Sequence, residues 1–337
     1  MPSLFLRSNG VFYAAVCVGE KRVYRSTHCR DLEQAKIVFD QLCAELVPWQ
    51  RISISQFRGQ LARLLEGSVS TGTAALNDGA FRAFQRLVGD LKLRSITAYH
   101  IELFKSSRLK EVAPATVARD FRHLKAALRR ACLWKMVESS PFVGVRNVRV
   151  PEAPPQFLTP EECERLLQMI PSPQVKLPVI FAVSTGLRIG EVTNLRWTDV
   201  DHERRQIHLT NRDGFTTKNR RSRVVPMNKT AMDVLARLPR RGDYVFLGER
   251  GGKLNSGWLS RQFKKYARAA GLSERIHFHS LRHTFASLLV QSNVPIFNVK
   301  ELLGHSNIAT TLVYARSAPE QLKESARSID GFLSAVI

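Results

Sequence analysis

The spacing of apolar residues changes period several times along this chain, and each change marks an element or a boundary. Residues 4–27, LFLRSNGVFYAAVCVGEKRVYRST, set β-branched and aromatic residues between turn signals at Asn9-Gly10 and Gly19-Glu20. That pattern predicts a three-stranded sheet. The next stretch, DLEQAKIVFDQLCAEL, takes a helical period with Asp31 as its N-cap. Together they make a small module over residues 1–46. Its basic strand residues Arg7, Lys21, Arg22 and Arg25 suit either a DNA-facing surface or a solvated sheet face.

Residues 47–55, VPWQRISIS, read as a linker. Residues 56–140 return to a helical pattern. The longest helix, PATVARDFRHLKAALRRACLW, opens on Pro114, where a missing N–H is harmless in the first turn. Phe121, Leu124 and Leu128 form its apolar stripe. Arg122, Lys125 and Arg129 each follow one of these by one residue, so a basic stripe runs beside it about 100° round the helix. Such a helix packs on one side and meets phosphate or water on the other.

Residues 141–158, PFVGVRNVRVPEAPPQFL, hold four prolines and no helical period, the mark of a second, extended linker. TPEECERLL then starts a new domain, with Thr159 as N-cap, Pro160 first in the helix and Glu162 completing a capping box. Helices dominate from there, interrupted by a strand-like stretch near 205–226 with a basic, glycine-containing turn. The expected fold is multidomain and mainly α. It has a small sheet-plus-helix module (1–46), a helical domain (56–140) and a mixed α/β, mostly helical domain (155–337).

Charge sharpens this picture. The 337 residues include 51 Lys plus Arg against 29 Asp plus Glu, a formal net charge of +22. Self-repulsion on that scale is relieved by a polyanion, and nucleic acid is the commonest one. An anionic membrane surface is the rival, but no apolar run has the length of a span and the basic residues are spread along the chain. The five cysteines, Cys17, Cys29, Cys43, Cys132 and Cys163, form no CxxC pair, and MPSLFLRSNG lacks a signal-peptide apolar region. A reduced, intracellular setting is expected, without a membrane partner.

The chain has no GxxxxGK[ST] loop and no HExxH motif. His279 and His283 are four apart in HSLRHT, but no cysteine or carboxylate cluster completes a zinc site, so neither metal nor cofactor is expected. Breaking a phosphodiester without either calls for guanidiniums on the non-bridging oxygens, a nucleophile in line and an acid for the departing sugar oxygen. Candidates for each are present. Arg188 lies in STGLRIGEV, where Gly186 and Gly190 allow close backbone approach. Arg282 follows His279 by three residues. Lys218 lies in TTKNRRSRVVP, in the hairpin, with Arg220, Arg221 and Arg223 as further phosphate contacts. Tyr314 offers a hydroxyl nine residues after His305 in LLGHSNIATTLVYAR. Glu191 is placed to hold an arginine rather than to react. Taken singly, each has an ordinary structural explanation.

In order, TGLRIGE, TK ahead of VVP, HSLRHT, LGHS and the later tyrosine resemble the tyrosine recombinase family, of the phage-integrase type, over about residues 155–330. The resemblance implies that Arg188 and Arg282 bind the scissile phosphate and that His305 hydrogen-bonds it. It implies that Tyr314 attacks to leave a 3′-phosphotyrosyl link and a free 5′-hydroxyl, with neither metal nor ATP. His279 would handle the nucleophile's proton, Lys218 would protonate the leaving oxygen, and His283 would brace the site. Residues 56–140 would bind core-site DNA, and 1–46 would be an arm-type module, although Phe12 stands where many relatives have tryptophan.

The implied partners are two recombination sites in double-stranded DNA and a homotetramer at synapsis, working through a Holliday junction at the nucleoid. The segment PEQLKESARSIDGFL would pack in cis or on a neighbouring subunit. An excisionase or DNA-bending protein is left open, as is the choice among integration, excision and dimer resolution. Two alternatives remain: relaxation by a type IB topoisomerase, and an inactive architectural or regulatory DNA-binding protein.

Overall fold

A computed structural model describes residues 3–18, 21–46, 52–151, 154–212, 215–216 and 222–315. The chain divides into two compact units, residues 1–152 and 153–337.

The first unit opens with β1 (Ser3–Leu6), β2 (Phe12–Val18) and β3 (Lys21–Ser26), an antiparallel sheet in that order. The first turn needs Gly10, whose φ is 71° and whose N–H donates to the Arg7 carbonyl at 2.9 Å. The Gly19-Glu20 turn lies outside the described residues. Helix α1 (Leu32–Leu46) begins as expected, its Gln34 N–H donating to Asp31 Oδ1 at 2.9 Å. Strand alternation then sorts the side chains. Ala14 and Val16 pack with Phe39, Leu42 and Cys43 of α1. The opposite face carries Phe5, Tyr13 and Tyr24, with Phe5 and Tyr24 edge to face at 6.1 Å. Arg7 covers Tyr13 at 4.3 Å and Arg22 approaches Tyr24 at 5.9 Å. Arg25 pairs with Ala14 and so belongs to the helix side.

Helices α2 (Ile54–Leu65), α3 (Thr71–Val88), α4 (Ala98–Leu109) and α5 (Pro114–Leu133) follow. The linker expected over 47–55 gives way to structure at Ile52. Ser53 and Gln56 form a reciprocal capping box, and Ile52 and Ile54 are buried. The S-x-x-Q signal was hidden inside an alternating ISIS pattern that has no helical period. Phe57, Phe81, Phe84, Phe104 and Phe121 centre the core. On α5, Phe121, Leu124 and Leu128 are buried while Arg122, Lys125 and Arg129 are exposed. The stretch after α5 has no helix or strand, yet it is not loose. Phe142 is buried, edge-on to Phe121 at 5.1 Å.

In the second unit, α6 (Pro160–Met169) starts at the expected Thr159–Glu162 capping box. Helices α7 (Pro173–Thr185) and α8 (Ile189–Asn194) lead to a sheet of β4 (Val200–Asp201), β5 (Gln206–Leu209) and β6 (Arg223–Pro226), antiparallel throughout. Strand β4 was not anticipated, because two residues are too few to show alternation. Helices α9 (Lys229–Ala236), α10 (Ser256–Ala269), α11 (Ser280–Gln291), α12 (Ile296–Leu303) and α13 (Ala309–Ala315) complete it. α11 packs on α7, and α12 and α13 pack on α11. Among the described residues, no helix is long and apolar enough to cross a membrane.

Candidate active site

Helix α7 stops at Gly186 in the left-handed conformation, φ 67°. A Cβ there would lie 2.4 Å from Phe285 Cδ1, so only glycine fits. The turn delivers Arg188 to the N-cap of α8. Its backbone N–H donates to Glu191 Oε2 at 2.9 Å and its Nη1 to Oε1 at 3.0 Å. At Gly190 a Cβ would meet nothing within 4 Å, and the residue lines the open cleft.

Glu191 is almost wholly buried and is also gripped by Arg223, Nη1 to Oε1 at 2.9 Å and Nη2 to Oε2 at 2.7 Å. Burial pushes the carboxyl pKa up. The hydrogen bonds and charge of Arg223, followed by those of Arg188, outweigh it and hold the pKa at about 2. Arg223 therefore departs from the expected surface phosphate contact. It points inward, its Cδ only 2.6 Å from where a Cβ on Gly304 would stand. Lys218, Arg220 and Arg221 lie outside the described residues.

Arg282 sits on α11, only 1% exposed. Its Nη1 donates to the Gly186 carbonyl at 2.8 Å and its Nη2 to the Leu303 carbonyl. Burial first, and Arg188 next, lower its pKa to about 9, so it remains charged at neutral pH. Gly304 ends α12 with φ 63° and turns the chain into His305. His305 Nδ1 and Thr311 Oγ1 are 2.9 Å apart. Burial, then Arg282 and Arg188, lower the His305 pKa to about 3.

Tyr314, on α13, is 3% exposed. Its Oη lies 2.6 Å from His283 Nδ1. The ring of His279 stands nearly perpendicular to that of His283, centroids 4.9 Å apart. Of the two histidines, His283 rather than His279 touches the tyrosine oxygen. On a helix, residues i and i+4 share a face one turn apart, and only the later one reaches α13. Burial, followed by nearby positive groups, lowers both pKa values to about 4. Burial pushes the tyrosine's pKa up, with Arg282 pulling the other way.

These groups line one cleft of about 690 Å³: Arg188, Glu191, His279, Arg282, His283, His305 and Tyr314, joined by Phe215 and Thr216 from the hairpin. Sequence reasoning missed Thr311, which orients His305. Its spacing of three from Tyr314 on one helix face was the available signal. Among the described residues, no group of three or more His, Cys, Asp or Glu is arranged to hold a metal.

A model of the phage integrase family matches residues 156–321. A tyrosine recombinase of Pseudothermotoga lettingae is 31% identical over 236 residues, spanning 67% of this chain and 79% of that protein. The chain belongs to the tyrosine recombinase family, of the phage-integrase type. As a tyrosine-type site-specific recombinase, it is also 33% identical over 237 residues to the integrase of Salmonella phage P22, spanning 66% of the recombinase and 59% of the phage protein. In fold, the recombinase resembles a lambda integrase crystallised as a dimer on a COC′ core site, with a TM-score of 0.68 at 20% identity, covering 93% of this chain and 94% of that one. The mainly α, multidomain architecture expected from the sequence agrees with that likeness.

Proposed function

We propose that this recombinase cuts and rejoins double-stranded DNA at two recombination sites through a covalent link between Tyr314 and a 3′-phosphate. One observation carries the reading: the Tyr314 hydroxyl opens into the same cleft as two guanidiniums whose positions are fixed before substrate arrives. A phosphodiester gains negative charge as the nucleophile adds, and preorganised donors stabilise that charge without reorganising. Arg282 brings a charge held by two backbone carbonyls. Arg188 brings one shared with Glu191. His305 is neutral, and if its Nδ1 accepts from Thr311 its Nε2–H is free to donate to a phosphate oxygen.

Lys218 is assigned as the acid for the 5′-oxygen on the strength of the family motif. The tyrosyl ester retains the energy of the broken backbone bond, so rejoining needs no ATP.

On this reading the net charge of +22 serves DNA wrapping. We assign residues 56–140, with the exposed stripe Arg122, Lys125 and Arg129, to core-site DNA, together with Arg220 and Arg221 of the hairpin. Residues 1–46 are assigned to arm-type sites, which the aromatic and basic face with Arg7 and Arg22 would meet. The catalytic part spans 155–337. Lambda integrase has been crystallised as a tetramer on a Holliday junction, and we assign this chain the same assembly at synapsis, in the intracellular nucleoid. An excisionase or DNA-bending protein is a further partner class.

The test uses a duplex selected by the wild-type chain from a randomised pool, nicked so that the 5′-hydroxyl fragment escapes. Wild type should accumulate a denaturation-resistant protein–DNA adduct, and Tyr314→Phe should bind the duplex without forming it. An adduct with Tyr314→Phe removes Tyr314 from the role. Relaxation of plasmids lacking paired sites favours a topoisomerase, and a wild type that makes no adduct favours an architectural protein.

A further inference from the structure

We propose that His283, outside its expected bracing role, is the catalytic group that takes the proton of Tyr314 as the tyrosine oxygen attacks phosphorus. The inference rests on the cleavage reading above and adds a residue to its chemistry.

Geometry comes first. His283 Nδ1 lies 2.6 Å from Tyr314 Oη, within the reach a proton acceptor requires. Glu191 and His305 are otherwise engaged. Both oxygens of Glu191 hold Arg223, and Arg188 shares them. His305 spends its Nδ1 on Thr311. His279 stands nearly perpendicular to the His283 ring, centroids 4.9 Å apart, and it is His283 that carries the contact to the Tyr314 oxygen.

Protonation state agrees. Burial, with His277 and Arg282 nearby, keeps the His283 imidazole neutral at physiological pH. With its proton on Nε2, the Nδ1 lone pair faces the tyrosine hydroxyl. Such an imidazole is a weak base at rest. Negative charge developing on the adjacent phosphoryl group then raises its basicity at the moment the proton must leave oxygen.

The step balances. The Tyr314 Oη–P bond forms and the P–O5′ bond breaks. The tyrosine proton passes to His283 Nδ1, and O5′ takes a proton from the leaving-group acid. In rejoining, imidazolium His283 returns the proton to the departing tyrosyl oxygen, so one residue is base in cleavage and acid in resealing.

The experiment follows single-turnover adduct formation by the full-length chain on the nicked duplex described above. His283→Ala removes the acceptor. His283→Asn keeps an oxygen near the Nδ1 position without its basicity. Both variants should bind DNA normally and form adduct about 100-fold or more slowly. Each is then prepared with a fluorinated tyrosine at position 314 whose hydroxyl ionises near neutral pH. Most of the lost rate should return in both, because the nucleophile no longer needs an acceptor. A His283→Asn protein close to the wild-type rate would show that the side chain only positions the ring, overturning the proposal. So would a defect that the fluorinated tyrosine leaves unchanged. A wild type that forms no adduct overturns the cleavage reading and this proposal with it.

Discussion

Arg223 holds Glu191 through both terminal nitrogens, at 2.9 and 2.7 Å, from a strand 32 positions further along the chain. The same carboxylate fixes the Arg188 backbone N–H and guanidinium. One buried acid therefore sets the position of Arg188 at the cleft, and a second arginine keeps that acid ionised. Arg223→Ala leaves Glu191 buried with half its partners. The expected cost is about 3 kcal/mol of stability, at the lower end for a broken buried pair. Denaturant unfolding measures it. The double variant Glu191→Gln/Arg223→Met should lose less than the sum of the two single changes.

Acid should weaken the fold in two stages. The cleft histidines His279, His283 and His305 have folded pKa values of about 4, 4 and 3 against an ordinary 6.5. The unfolded chain binds protons first, so stability falls as pH drops below 6.5. Glu191 adds the second stage, between its ordinary 4.5 and about 2. Its depressed pKa corresponds to roughly 3 kcal/mol at neutral pH, lost as pH falls through 2. Unfolding midpoints at intervals from pH 7.5 to 4 should decline, and His305→Phe should flatten the upper part of that decline.

The two glycines beside Arg188 should respond oppositely to alanine. Gly186→Ala meets Phe285 and a left-handed backbone, and should lose about 2–4 kcal/mol. Gly190→Ala meets open space inside α8 and should be neutral or gain up to about 1 kcal/mol. Thermal melts of the two single variants settle the contrast, and equal losses would contradict it.

DNA affinity should fall linearly on a log–log plot against salt as counterions are released. Changing Arg122, Lys125 and Arg129 together to alanine should lower that slope by about 2–3 units if all three touch phosphate. An unchanged slope would return the stripe to ordinary solvated surface.

Lys218 is tested by its leaving group. Lys218→Ala should be slowed about 100-fold or more on ordinary DNA. It should recover on a substrate with sulfur at the bridging 5′ position, because a thiolate leaves without a proton. Arg188→Ala should not recover, since the phosphate charge still needs its clamp. Equal slowness of Lys218→Ala on both substrates would make Lys218 a binding residue.

Local signals were legible wherever a few neighbouring residues decide the outcome. The Thr159–Glu162 capping box, Pro114 at a helix start and the Asn9-Gly10 turn all appear in the fold as expected. The Arg188, Arg282, His305 and Tyr314 motifs do converge on one cleft. What could not be read was pairing across the chain. Nothing near Arg223 in sequence announces Glu191 as its partner, and the charged run around it suggested phosphate instead. Which of His279 and His283 reaches the tyrosine oxygen is likewise set by the packing of α13 against α11, not by the motif.

Arg282 donates to carbonyls at Gly186 and Leu303, 96 and 21 positions away. It thereby staples two distant turns that no shorter-range contact would register. The guanidinium can occupy that place only when both turns are already built, whereas the tyrosine exists in any state of the chain. A nascent or partly unravelled protein thus carries the nucleophile without the clamp. On the proposed chemistry, such a chain cannot nick a genome, and the danger inherent in a DNA-cutting protein is confined to fully assembled molecules.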